Sequence, residues 1–192
     1  KADVVAAVAH LVERPGRGDE LDHLVDVPGG NPLRRGRSEG EAAATAVETG
    51  MRACIGLPVI DVPTVWAADE HEYIDKGLQV SASWQNEPLI TTVFVPHAPY
   101  SVDNTALQRI AELSDSLGLR VHMHVLESSW EVAESMRRHG KSTLDRLDDV
   151  GLLNERLLAV HMTQLNQHDL DTIARTTVNV IHCPESNLKL GN

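Results

Sequence analysis

The stretch RVHMHVLES, residues 120–128, alternates apolar and imidazole side chains along what reads as a short strand. Side chains two apart on a strand share a face, so His122 and His124 point one way while Val121, Met123 and Val125 point the other. His124 lies nearer the carboxyl end of the strand, where a side chain reaches a rim. His122 sits lower and reads as one of the side chains that fill an interior. Glu127, three residues past His124, hangs over the same rim from the following loop, where a carboxyl can move protons.

Outward from this stretch, strands and helices alternate. Before it come a helix ending at Gly50, a strand Ala53–Ile60, a helical segment Ala68–Trp84 and a strand Leu89–Val95. The next helix is capped by Ser101 or Asp103, carries Leu107, Ile110, Leu113 and Leu117 at helical spacing, and stops at Gly118. After it come helices Trp130–Arg138 and Thr143–Val150, each closed by glycine, and a strand Leu157–His161. A helix to Arg175 opens on the capping-box pair Asn166 and Asp169, and a fifth strand runs Thr177–His182. Strands that are nearly continuous in apolar residues, alternating with helices, are the pattern of parallel βα units buried on both faces.

Periodicity alone leaves both an open doubly wound sheet and part of a barrel standing. The placement of polar residues favours the barrel. Four of the five expected strands are followed at once by chemically capable groups: His97, then His124 with Glu127, then His161, then His182. In a parallel barrel the carboxyl ends of the strands share one face, where several strands contribute to one site.

Composition narrows the classes. The chain has 192 residues, 42% of them hydrophobic, enough for one ordinary domain. A formal net charge of -11 speaks against nucleic acid as a partner, because a phosphate backbone requires clustered Lys and Arg. Cys54 and Cys183 form no CxxC pair and suit a reducing compartment, the cytoplasm, with Cys183 read as a packed thiol. No apolar run approaches the ~20 residues needed to cross a bilayer. Residues 1–45 read as a divergent, turn-rich segment, with a helix-like run at Val4–Val12, ahead of a barrel domain at residues 46–192.

Four strings, VPHAPYSV, VHMHVLES, LLAVHMTQL and HCPESNLKLGN, stand in that order from residue 95 onward. With GMRACIGLPVIDVPT at 50–64, they resemble the metal-dependent amidohydrolase superfamily, in the branch of 5-methylthioadenosine/S-adenosylhomocysteine deaminases and triazine hydrolases. The resemblance implies a partial (β/α)8 TIM-type barrel of about strands 3 to 7, with the N- and C-terminal parts lying beyond the residues present. It implies one divalent metal, Zn2+ with Fe2+ as the alternative, and makes His124 the metal ligand. Glu127 is then the carboxyl that protonates the substrate ring, His161 the histidine at the attacking water or leaving group, and His97 a substrate contact alongside Glu127.

The implied reaction is hydrolytic deamination of an aminopurine nucleoside in the complete parent protein, by a metal-activated water whose pKa falls to ~7. A triazine or other heterocycle hydrolase, or a non-catalytic remnant, is the alternative. The family's H-x-H pair and its strand-eight aspartate are not among these residues, so the isolated chain is expected to be inactive and poorly soluble. A small-molecule substrate, no membrane and a homo-oligomeric parent complete the expectations. All of them require the side chains at 124, 127 and 161 to converge.

Overall fold

The computed structural model describes residues 39–192, so the expected helix-like run at Val4–Val12 and most of the 1–45 segment lie outside the described residues. The described chain runs α1 (Glu39–Glu48), β1 (Ala53–Val59), α2 (Glu70–Trp84), β2 (Ile90–Pro96), α3 (Asn104–Leu117), β3 (Arg120–Val125), α4 (Ser129–His139), α5 (Thr143–Asp149), β4 (Leu157–His161), α6 (Gln167–Arg175), β5 (Asn179–Ile181) and α7 (Pro184–Leu190).

The strands line up in the order β1-β2-β3-β4-β5, and β2 through β5 pair in parallel. A doubly wound sheet reverses its strand order at a switch point. Here the order never reverses, which is the strand order of a barrel segment and not of a doubly wound sheet. The α/β expectation is met, and strand order supplies the distinction that periodicity left open.

Two compact units are built on this chain. The first comprises the described residues up to Leu57 together with Val62–Thr92. Its core is small: Ala43 and Ala46 of α1, Ala53 and Ile55 of β1, and Ile90, with Val47, Val80 and Trp84 partly buried against them. Gly50, at φ 70, ends α1 as expected, its amide bonding to Val47 O while Met51 N bonds to Ala46 O.

The second unit comprises Pro58–Asp61 and Val93–Asn192 and contains the carboxyl ends of the strands. Every residue of β3 after Arg120 is buried, which is why this strand reads as apolar or imidazole on both faces. Asp103, rather than Ser101, caps α3 by accepting from Ala106 N, and Gly118 at φ 67 ends it. Leu107, Ile110 and Leu113 of that helix are buried, but Leu117 lies 52% exposed, because the stripe has rotated off the core by the last turn. The Asn166–Asp169 capping box forms as expected.

Two expectations change. The fifth strand is shorter than Thr177–His182, since only Asn179–Ile181 find register partners on β4. And PESNLKL, residues 184–190, to which the periodicity assigns no secondary structure, folds as α7. Pro184 opens that helix and Gly191 at φ 72 closes it, the usual punctuation of a short helix. No described helix is long and apolar enough to cross a membrane.

Candidate active site

Register brings the first two imidazoles together. Val93 pairs with Arg120 and Phe94 with Val121, and continuing that register sets His97 beside His124, whose amide donates to His97 O at 3.2 Å. Their ring centroids lie 5.3 Å apart, edge to face. Both are buried.

His161 reaches the same place by a different route. Its register partner is Val125, not His124, so a regular pleat would turn it to the opposite face. Instead His161 has φ 80 and Met162 φ 51, left-handed conformations that break the alternation at the strand end. The His161 ring then lies 5.3 Å from that of His124. Such backbone costs about 1–3 kcal/mol per residue and persists where surrounding bonds hold it. Here Met162 N donates to Val125 O at 3.0 Å and Thr163 N to Leu126 O at 3.0 Å.

Glu127 closes the group: its Oε1 lies 3.5 Å from His161 Nε2. The other ring nitrogen, Nδ1, faces Asn187 Oδ1 at 2.7 Å. An amide oxygen only accepts, so Nδ1 carries the hydrogen and Nε2 presents a lone pair toward the Glu127 carboxyl.

His97 is oriented in a comparable way. Ser101 Oγ donates its single hydrogen to Ala98 O at 3.2 Å, so it accepts from His97 Nδ1 at 2.7 Å. Nε2 is left as an acceptor, buried and without a hydrogen-bond partner among the described residues. Burial holds the imidazole neutral by pushing its pKa down to about 4. Tyr100 packs edge-on against His97 at 5.8 Å, and the half-exposed Trp130 against Tyr100 at 5.1 Å. Arg146, buried on α5, fixes this loop by donating to Pro99 O at 2.9 Å and Asn104 Oδ1 at 2.6 Å.

Of the groups read from the sequence, His97, His124, Glu127 and His161 come together. His122 is buried on the His124 face, its pKa lowered by burial and by its nearness to His161, in keeping with an interior position. His182 is exposed and stands outside the cluster. Cys183 is a half-buried free thiol, as is Cys54.

Three contributors have no role in the sequence reading. Asn187 stands near the mouth after the last strand, on a helix that Pro184 and Gly191 bracket. Ser101 was weighed only as a helix cap. Glu131 sits three residues after Ser128 in the pattern of a capping box. It does something else: its carboxylate, 1% exposed, accepts from Leu126 N at 2.8 Å and Glu127 N at 3.0 Å. Burial, partly offset by these two bonds, pushes its pKa up to about 7.

Neutral imidazole nitrogens are suitable donors for a divalent metal such as zinc. Among the described residues, however, no group of three or more His, Cys, Asp or Glu is disposed to hold an ion. The described residues thus fit at most part of a metal shell.

A singly wound parallel sheet with imidazoles and a carboxylate gathered at its carboxyl ends is the arrangement of a barrel-class site. A family model described as the amidohydrolase family matches residues 34–192, and the chain belongs to that family. It is 45% identical over 154 residues to a 5-methylthioadenosine/S-adenosylhomocysteine deaminase of Teredinibacter turnerae, covering 80% of this chain and 35% of the relative. To the enzyme of that name from Aquifex aeolicus it is 35% identical over 153 residues, covering 79% and 36%. Among solved structures, an adenosine deaminase from Xanthomonas campestris with bound zinc superposes with a TM-score of 0.76 at 44% identity, over 80% of this chain and 35% of that one. A zinc-complexed atrazine chlorohydrolase from Arthrobacter aurescens shares the fold with a TM-score of 0.67 at 14% identity, over 78% and 35%. The chain spans about 35% of the length of the relatives it matches.

Proposed function

We propose that the complete protein containing this chain is a hydrolytic deaminase of an aminopurine nucleoside, of the 5-methylthioadenosine, S-adenosylhomocysteine or adenosine kind. The observation that carries this reading is the Glu127–His161 pair at 3.5 Å beside the His124 ring, a carboxyl and an imidazole placed to pass a proton next to the imidazole we read as a metal ligand. In this reading the five strands are the third to seventh of an eight-stranded barrel, and His124 is one ligand of a divalent metal completed by residues elsewhere in the full protein. Zinc is the favoured metal, since the adenosine deaminase that superposes on this chain carries it. Bound there, the metal would make a nucleophile available from water at neutral pH.

The chain's own residues supply proton handling and orientation. Glu127 gives a proton to the ring nitrogen beside the carbon that bears the amine, which makes that carbon electrophilic. His161, with Nδ1 tied to Asn187, takes a proton at Nε2 from the attacking water and passes it to the amine, which leaves as ammonia; the remaining water proton returns to Glu127 as the carbonyl forms, and the ring nitrogen keeps the proton it received. His97 Nε2, a buried acceptor kept neutral, takes a hydrogen bond from a substrate hydroxyl or N–H. The substrate is a small molecule; the acidic charge and cysteine usage support a cytoplasmic protein that does not bind nucleic acid, and a homo-oligomer is compatible with the reading.

A triazine hydrolase is the second reading, and the likeness to that group shows the fold alone. The test is ammonia release by the full-length, zinc-loaded protein from a panel holding 5-methylthioadenosine, S-adenosylhomocysteine, adenosine, guanine and a chlorinated triazine. Turnover of the adenine nucleosides is expected. Turnover of the triazine alone, or of nothing, overturns the proposal.

A further inference from the structure

We propose that Glu131 is a positioning residue for Glu127, its buried carboxylate tying two consecutive amides so that the Glu127 side chain is held against His161. The proposal rests on the reading of Glu127 as the proton carrier.

Successive amides of an extended strand point to opposite sides, so one carboxylate reaches both only across a turn. Leu126, at φ 51, makes that turn. Glu131 Oε1 then accepts from Leu126 N and Oε2 from Glu127 N. The carbonyl side of the same turn is also taken. Leu126 O accepts from Thr163 N and Gln164 N at 3.0 and 3.1 Å, and Glu127 O accepts from Thr163 Oγ1 at 2.8 Å. With the backbone held from both sides, only side-chain torsions of Glu127 stay free, and these end 3.5 Å from His161.

Packing does not account for the acid. Glu131 is 1% exposed, and no ion pair among the described residues includes it. Burying a carboxylate in this way is costly when an apolar side chain of similar volume would fill the space. Capping of α4 does not account for it either, since Ser128 Oγ already accepts from Glu131 N at 3.3 Å and the carboxylate passes over the Ser128 amide to the two before it.

The test compares Glu131→Gln and Glu131→Asp in the full-length, zinc-loaded protein. In Glu131→Gln the amide nitrogen cannot accept, so one tie is lost. The expected result is a kcat lower by about 10- to 100-fold, with KM within about twofold and zinc content unchanged, as for a misplaced group whose binding pocket is intact. Amide exchange at 126 and 127 is expected to quicken about tenfold or more, with the other strands unchanged. Glu131→Asp, which keeps two acceptors, should recover part of the loss. In a Glu127→Gln background Glu131→Gln should add little, because the two act through one group.

Wild-type kcat in Glu131→Gln, a loss confined to KM, or additive losses in the double variant would overturn the proposal. Loss of fold or of zinc in both single variants would also overturn it, making Glu131 a folding residue. If the parent protein deaminates nothing, the functional reading fails by itself, while the exchange at 126 and 127 still reports whether Glu131 holds the turn.

Discussion

His161 Nε2 and Glu127 Oε1 stand 3.5 Å apart although they leave the ends of different strands, and neither would face the other on a regular pleat. The left-handed residues Leu126, His161 and Met162 turn them inward. Proton transfer at these two side chains is the centre of the proposed reaction.

Glu127→Gln keeps the size of this side chain and removes its acidity. The expected loss in kcat is about 10²- to 10⁴-fold, the usual range for a general acid–base group, with thermal stability unchanged. Ammonia release and a melting curve on the full-length variant check it. Activity within threefold of wild type would remove Glu127 from the mechanism.

Asn187→Ala removes the acceptor that sets the His161 tautomer. A loss of about 10- to 100-fold in kcat is expected, as for other residues that orient a working histidine. Asn187→Asp keeps an oxygen in place and should recover most of it. Asn187 Nδ2 makes no hydrogen bond among the described residues, so its absence from the aspartate variant costs no bond.

Two buried groups give opposite pH dependences of stability. His97 has its pKa lowered from 6.5 to about 4, so its contribution is full above 6.5 and is lost as pH falls toward 4. Glu131 has its pKa raised from 4.5 to about 7, so its contribution is full below 4.5 and is lost as pH rises toward 7. Between about pH 4.5 and 6.5 the two offset each other. Denaturant midpoints from pH 4 to 8 should therefore rise more steeply with pH in Glu131→Gln than in wild type, and less steeply in His97→Phe. Parallel curves for all three proteins would refute this account.

Gly77→Ala tests the packing of α2 on β1. A Cβ there would meet Leu57 Cβ at 3.2 Å, an atom next to the backbone that cannot swing away. Alanine gains about 1 kcal/mol of helix propensity, and overpacking costs about 1–3 kcal/mol. The net expectation is a loss of roughly 1 kcal/mol by urea denaturation. A gain would mean that the helix shifts freely on the strand.

Much of this architecture was legible because local chemistry repeats it. RVHMHV and LLAVH give β3 and β4 to the residue, since strands buried on both faces are continuous in apolar or imidazole side chains. Asp103, Gly118, Gly140 and the Asn166–Asp169 pair mark helix ends because their side chains or their φ satisfy groups that the helix leaves open. His97 and His124 follow from register and pleat alone.

The amino-acid sequence by itself determined the alternation of strands and helices, the polar residues at the strand ends and the membership of the family, because each depends on side chains close together along the chain. Tertiary structure alone decided that His161 turns toward His124 against its pleat, that Asn187 chooses its tautomer from 26 residues away, and that Glu131 holds the turn carrying Glu127. Those three depend on left-handed backbone and buried polar partners, which are stable only once the surrounding strands and helices have closed around them.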